Sequence, residues 1–401
     1  MKIKTLFIAL ALVCLIGSIS VATAAKVTKI GNGHDPSIYD SKVTWNDPSG
    51  VIHLYDLAAK KDTILNSSKA SHPDIYSNKI VWLDNSSGKP RIAIYDIPSR
   101  SKIFITKNVD DRSYPQIYGK RIVWSANESV YLRDLSTSMQ TKIGSGEVPD
   151  VYDAKVVYKS DTETEYDHAV RLYDINTKKK ITISSSGIPE TPHIWGTKII
   201  WADSYNHQGY ILMYDTSTKK TTAVTDELGI DPNGNEYGAS TGLHIAIQDG
   251  KIVYSKVADD YEGKPGVYLY SIASGKRTLL VEYPENIYTT PEVYDNKVVW
   301  GTYREGTNDT GIYVYTLPTK PVAAFTADKT SGKNPLTVTF KYTGKVTPDT
   351  YLWDFGDGIK SKHAVTATHK YNKAGSYTVK LTVTNSAGSS TITKKNYIVV
   401  K

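Results

Sequence analysis

PDIYSNKIVW, residues 73–82, decides the fold. It holds two short runs of β-branched and aromatic residues, PDIY and KIVW, on either side of a polar Ser77-Asn78 turn. That pattern is a β-hairpin opened by a proline and ended by a tryptophan. The same ten residues return along the chain as PSIYDSKVTW at 36–45, PQIYGKRIVW at 115–124, PDVYDAKVVY at 149–158, PHIWGTKIIW at 192–201 and PEVYDNKVVW at 291–300. A degenerate copy, IAIQDGKIVY, fills 245–254. Seven copies starting 34 to 53 residues apart are a repeat architecture.

Each hairpin is followed by a third alternation. It ends Leu54-Tyr55-Asp56, Ile94-Tyr95-Asp96, Leu132-Arg133-Asp134, Leu172-Tyr173-Asp174 and Met213-Tyr214-Asp215, then Leu269-Tyr270-Ser271 and Val314-Tyr315-Thr316 in the last two copies. A Ser/Thr/Lys turn and a further short run, such as Lys102–Thr106, complete the unit. Four strands per unit make a propeller blade, and no segment after residue 25 sustains a helical period over three turns. The expected fold is all-β: a seven-bladed β-propeller.

The seventh copy ends after Tyr315 without a fourth strand. TKIGNGHDPSIY at 28–39 matches TKIGSGEVPDVY at 141–152, where the first four residues belong to a fourth strand. The N-terminal run Val27–Ile30 is therefore expected to complete the seventh blade and remove two exposed edges. With their proline-containing strand, Lys-Ile strand and Tyr-x-Asp strand, residues 27–318 resemble the TolB-type and surface-layer-type propellers. Tol proteins themselves carry six blades, so the resemblance implies a fold and no Tol function.

From Pro321 the chain changes to PVAAFTADKTSGKNPLTVTF, WDFGDG at 353–358 and GSYTVKLTVTNSAG at 375–388. Short alternating strands about every ten residues predict an immunoglobulin-like β-sandwich. The WDFGDG and YTVKLTV runs resemble the polycystic-kidney-disease (PKD) domain, whose members are extracellular spacers and binding modules. Propeller plus PKD resembles cell-surface proteins of methanogenic archaea. The reading divides the chain into 1–25, 26–318 and 319–401.

Residues 1–25 run Met-Lys-Ile-Lys, then apolar from Thr5 to Val21, then Ala22-Thr23-Ala24-Ala25, the order of a cleaved secretory signal. Cys14, the single cysteine, lies inside it after Val13, so the mature chain is expected to lack thiol, disulfide and lipid anchor. No later apolar run is long enough to span a membrane. Without Lys2 and Lys4, 46 basic residues face 41 acidic ones, a net charge of +5 that calls for no nucleic-acid partner. Residues 321–401 hold 12 lysines and 4 acids, so the positive charge is concentrated in the sandwich.

The aromatic column Trp45, Trp82, Trp124, Tyr158, Trp201, Tyr254 and Trp300 occupies one fixed place in every repeat and is expected to pack between blades rather than to bind sugar. Asp56 and its equivalents are expected to cap their own turns. Residues around the repeat proline line the channel: Asp35, His72, Tyr114, Val148, Thr191, His244 and Thr290 before it, and Ser37, Asp74, Gln116, Asp150, His193, Ala246 and Glu292 after it. His72, His193 and His244 among carboxylates are the candidates for a divalent metal, as in the seven-bladed pectate-degrading lyases these repeats resemble. A solvated channel wall is the favoured reading, since no ligand spacing within one element supports a metal, and no cofactor is expected. Calcium could be offered oxygens by Asp231, Asn233, Asn235 and Glu236, which a plain Gly-Asn turn also explains. No nucleophile motif or phosphate loop occurs.

Antiparallel blades put the first-to-second and third-to-fourth turns on one face and the second-to-third and inter-blade connections on the other. The turn face gathers Lys42, Lys79, Arg121, Lys155, Lys198, Lys251 and Lys297; the long-connection face gathers acids such as Asp110, Glu163, Asp226 and Glu282. The glycosylation-type sequons at Asn66, Asn85, Asn127 and Asn308 fall on the latter face, as do the candidate recognition residues Asp231, Asn233, Asn235, Glu236, Tyr237, Asp259, Asp260 and Glu262. The expected function is a secreted, non-catalytic cell-surface module for protein or glycan binding and adhesion. Its partner would be a surface-layer protein or an acidic cell-wall polysaccharide. The rival is a metal-dependent polysaccharide lyase or hydrolase with a histidine cluster at the channel.

Overall fold

The computed structural model describes residues 27–66, 69–161, 168–184, 188–205, 208–225, 244–256, 264–284, 287–304, 310–362 and 365–401. The expected signal segment, Asn308, and all eight recognition candidates from Asp231 to Glu262 lie outside the described residues. Every regular element described is a β-strand. Lys26–Leu317 and Pro318–Lys401 form two compact units.

Among the described residues, the first unit contains seven four-stranded antiparallel sheets. The hairpin that opens each sheet has a local cause. Asp40, Ser77, Gly119, Asp153, Gly196, Asp249 and Asp295 all begin the two-residue turn with φ between 47° and 62°. Asp, Ser and Gly tolerate that left-handed conformation, in which two-residue hairpin turns match strand twist. The turn fixes the register Tyr76↔Lys79, and with it which side Trp82 faces.

All seven residues of the aromatic column are at most 2% exposed, as the repeat pattern predicts. They sit in clusters that join neighbouring sheets: Ile52 and Leu54 of one pack with Ile80 and Trp82 of the next. The inner strands touch in chain order, and the first of them, His34–Tyr39, also meets the last, Ile287–Tyr294. The circuit is closed within the last sheet by Val27–Gly31, which pairs antiparallel with Thr310–Thr316 through Val27↔Tyr315, Thr28↔Val314 and Lys29↔Tyr313.

The aspartates that end the third strands cap their turns. Asp56 accepts the Ala58 and Ala59 N–H groups at 2.9 and 2.8 Å, and Asp174 accepts that of Thr177 at 2.8 Å. Here the structure also revises the picture of a basic turn face. Lys42, Lys79, Arg121, Lys155 and Lys198 each lie directly opposite one of these aspartates in the sheet register. Lys79 Nζ donates to Asp96 Oδ2 at 2.6 Å, and this bond, with those from Ser99, holds the Asp96 carboxyl down at about 2. Only Lys251 and Lys297 face neutral residues, Ser271 and Thr316. Cation and carboxylate thus face each other across the register in five of the seven sheets.

The second unit packs a three-stranded sheet, Phe325–Ala327, Leu336–Tyr342 and Thr366–Tyr371, on a five-stranded one. Strict alternation in Leu336–Tyr342 sends Leu336, Val338, Phe340 and Tyr342 into a core with Trp353, Phe355, Leu381 and Ile398. WDFGDG forms a turn capped by its own acids: Asp354 accepts the Gly356 N–H and Asp357 that of Ile359, both at 3.1 Å. Gly356 has φ +86°, and a Cβ there would lie 2.4 Å from the Thr378 carbonyl oxygen, so the position admits only glycine. Asp357 also bonds the buried His369 Nε2 at 2.7 Å, beneath a stacked Phe355 ring.

Candidate functional site

The channel wall is built in levels from the inner strands. In four sheets the strand carries a β-bulge, and the residue before the proline takes a left-handed φ: Asp35 at 50°, His72 at 53°, Val148 at 48° and Thr191 at 40°. For β-branched Val148 and Thr191 that conformation is costly, about 1–3 kcal/mol each. The bulge turns the side chain at this level and restarts the alternation at the proline.

The residues after the proline, Ser37, Asp74, Gln116, Asp150, His193, Ala246 and Glu292, line a cavity of about 100 Å³. Two of these carboxylates stitch neighbouring sheets together. Asp74 Oδ2 accepts the Ile117 N–H at 2.7 Å, while its Oδ1 accepts the Ser37 hydroxyl at 2.7 Å and the Ile75 N–H at 2.9 Å. Asp150 does the same, with Oδ2 taking the Ile194 N–H at 2.8 Å and Oδ1 the Val151 N–H at 2.7 Å. His193 Nδ1 lies 3.4 Å from Asp150 Oδ2.

Confinement dominates ionisation at this level. Burial, reinforced by the charges of Asp74 and Asp150, pushes the Glu292 carboxyl up to about 8, against the pull of His193. Burial likewise lifts Asp74 to about 6, although its hydrogen bonds to Ile117 and Ser37 act the other way. For His193 burial disfavours the charged ring, but the bond to Asp150 and the charges of Asp150, Glu292 and Asp74 outweigh it and its pKa is raised. Replacing Asp74 by Asn should turn an amide N–H against a backbone N–H and cost about 1–3 kcal/mol at pH 7.5. Urea unfolding of the variant checks this, and an unchanged midpoint would show the stitch to be idle.

A third level was not foreseen from the sequence. Tyr39, Tyr76, Tyr118, Tyr152 and Trp195 form an unbroken aromatic collar with ring centroids 4.5–4.7 Å apart, extended by Tyr294 at 4.7 Å from Tyr39. Burial and hydrogen bonding between the hydroxyls raise the pKa of Tyr118 and Tyr294. The signal was present as the aromatic residue just before every hairpin turn but the last but one, where Gln248 stands.

The three candidate histidines occupy two levels. His72 Nε2 lies 3.7 Å from Asp35 Oδ2, its ring meets Tyr114 edge-on at 4.3 Å, and burial lowers its pKa. His244 is lowered by burial and by the charges of His193 and His72, with Asp35 opposing. His193 belongs to the next level with Asp150 and Glu292. Among the described residues no three His, Cys, Asp or Glu side chains are gathered so as to hold a metal ion.

The described sequons differ from one another. Asn66 is committed at both ends of its amide, with Oδ1 taking the Ile52 N–H at 2.5 Å and Nδ2 donating to Gly50 O at 3.1 Å. Thr106 and Thr225 fill the same place in their sheets, which gives Asn66 a structural reason. Asn85 and Asn127 are exposed.

Residues 318–400 match the family model of the PKD domain. The C-terminal unit is a PKD domain. Part of the chain is also similar to collagenase ColA of Clostridium perfringens, at 62% identity over 50 residues, 12% of this chain and 4% of that protein. The chain thus spans only a small fraction of the length of this curated relative. Among solved structures, the β-propeller domain of the Trilobed protease from Pyrococcus furiosus aligns over 71% of this chain and 96% of its own, at 15% identity and TM-score 0.51. An oligogalacturonate lyase in complex with manganese aligns over 73% and 93%, at 13% identity and TM-score 0.50. Likeness at this identity shows the fold, and the first unit is a β-propeller. The Pyrococcus propeller is described as having an open velcro topology; here Val27–Gly31 pairs into the last sheet. The PKD domain and propeller together suggest an extracellular binding module. Among the described residues no helix is long and apolar enough to cross a membrane.

Proposed function

We infer that this chain is an exported cell-surface protein that binds protein or glycan without catalysing a reaction. Its seven sheets act as a seven-bladed propeller whose long-connection face recognises the partner. The PKD domain adds an attachment to acidic wall polymer or to a surface layer. The observation that carries this reading is the commitment of the channel carboxylates: Asp74 and Asp150 each spend one oxygen on a backbone N–H of the next sheet and the other on their own strand. Charged groups held in this way stiffen a scaffold, and rigid scaffolds carry recognition on their loops.

A secreted polysaccharide lyase or hydrolase is the second reading. It is favoured by a carboxyl held near neutrality at Glu292 beside a raised His193 within one cavity. The purified protein is expected to leave polyuronate intact. Depolymerisation that disappears with His193→Ala would replace the binding reading with the enzymatic one.

The attachment has its own test. The PKD domain has its own core and a large lysine excess, so residues 321–401 should sediment with envelope fragments at low salt. Raising salt from 0.1 to 1 M shortens the screening length from ~10 to ~3 Å and should release them, whereas propeller contacts made by packing and neutral hydrogen bonds should fade less. Failure of the isolated PKD domain to bind at low salt, or equal binding at high salt, would rule out an electrostatic anchor.

A further inference from the structure

At the long-connection end of the last sheet, three residues fall in one row across the strands. Tyr288 of Ile287–Tyr294 stands opposite Tyr303 of Lys297–Arg304, and Tyr303 opposite Thr310 of Thr310–Thr316. Opposed residues of an antiparallel pair share a side, with Cβ atoms about 4.5–5.5 Å apart. This side faces the first sheet, because a Cβ added at Gly301, two residues along, would come 3.3 Å from Pro36 Cδ and 3.4 Å from His34 Cα.

The row is aromatic and open. Tyr303 keeps 42% of its surface exposed, the Tyr288 ring leans towards it at 5.9 Å between centroids, and the His34 ring meets it edge-on at 5.9 Å. Beside this platform lie hydroxyls with no hydrogen-bond partner among the described residues. Thr310 is 5% exposed and its Oγ1 is one of them; Thr290 Oγ1 in the adjoining row is another. A packed sheet seldom leaves such groups unsatisfied, and a small local opening around Tyr303 would offer them to a ligand hydroxyl.

We propose that the row Tyr288–Tyr303–Thr310, with His34 against it, is a stacking subsite for a pyranose ring of a neutral glycan. The negative face of the Tyr303 ring accepts the weakly positive C–H face of the sugar. The phenol tips, the His34 imidazole and the threonine hydroxyls serve the sugar's own hydroxyls. The occupant is neutral rather than acidic because Asp35 adjoins His34, and its neighbour His72 is kept from charging by burial. This deepens the binding reading above by naming a ligand class for the recognition face, and it rests on that reading.

Saturation-transfer NMR on the intact protein tests it, with cellohexaose, mannohexaose and chitohexaose as probes and hexaguluronate and decaproline as contrasts. Transfer to ring protons of at least one neutral hexasaccharide is expected. It should fall at least fivefold in Tyr303→Ala and persist in Tyr303→Phe, which keeps the ring face. Should Tyr303→Ala fail to fold, Tyr303→Gln reads the same loss. No transfer to any neutral probe, equal transfer in the ring-less variant, or transfer only to hexaguluronate or decaproline overturns the subsite. Envelope binding measured in parallel at 1 M salt, where the PKD anchor is released, separates the two claims: if wild type and Tyr303→Ala sediment alike there, the subsite falls and the binding reading stands. If wild type does not sediment, the binding reading falls while the sugar panel still decides the subsite.

Discussion

A protein lacking residues 27–31 is expected to lose on the order of 4–6 kcal/mol of stability, much of what holds a domain of this kind folded. The strand pairs along Thr310–Thr316, and each backbone hydrogen bond it makes is worth about 1 kcal/mol net. Ile30 packs on the cluster that holds Trp45, Val299 and Ile312, adding about 1–2 kcal/mol of buried apolar surface. Lys29 Nζ donates to Thr310 O at 3.2 Å, and Gly31 lies so close to the Trp45 indole that a Cβ would come within 2.6 Å of it. Losing the strand bares the edge of Thr310–Thr316, an open template for another chain. Denaturant midpoints compared at equal slopes measure the loss, and the shortened protein should also aggregate more readily. Equal midpoints would mean that the first and last sheets hold together without this strand.

Glu292→Gln is expected to stabilise the protein at alkaline pH and to do little in acid. The carboxyl has a folded pKa of about 8 against an ordinary value of 4.5, so the folded protein holds its proton while the unfolded chain has released it. Stability therefore falls as pH rises from 4.5 to 8, and the whole penalty is present above 8. At about 1.4 kcal/mol for each pKa unit, and allowing for partial solvation by the cavity, it amounts to on the order of 3 kcal/mol. His193, with a raised pKa, contributes stability that is present below 6.5 and is likewise lost as pH rises through its folded value. His72 and His244 act oppositely: their lowered pKa values withdraw stability as pH falls below 6.5. Wild type should accordingly grow more stable from pH 8.5 to 6.5, with a flatter profile below. The difference between wild type and Glu292→Gln isolates the carboxyl. A difference that stays constant from pH 5 to 8.5 would show that Glu292 is solvated and ordinary.

Local chemistry made much of this legible before any coordinates. Asp, Ser or Gly at the head of each hairpin turn, alternation in PDIY and KIVW, and a tryptophan or tyrosine in a fixed place are short-range signals. They determine strands, register and the buried column, since a side chain's face follows from parity once the turn is set. Even the closure by Val27–Gly31 could be read, because 28–31 repeats a fourth strand elsewhere in the chain. The WDFGDG turn of the PKD domain is equally local, because its acids cap N–H groups two residues away. What lay beyond the sequence depends on residues about 40 positions or more apart meeting across neighbouring sheets. Asp74 reaching Ile117, Tyr39 touching both Tyr76 and Tyr294, and His34 meeting Tyr303 are contacts of this kind. So is the shift of Glu292, since desolvation measures everything around a group and nothing in its own strand. Likewise the turn-face cations read as free charge until the register set five of the seven opposite an aspartate. Sequence alone determined what each sheet is; the angle at which one sheet meets the next decided which polar groups are spent and which are left for a ligand.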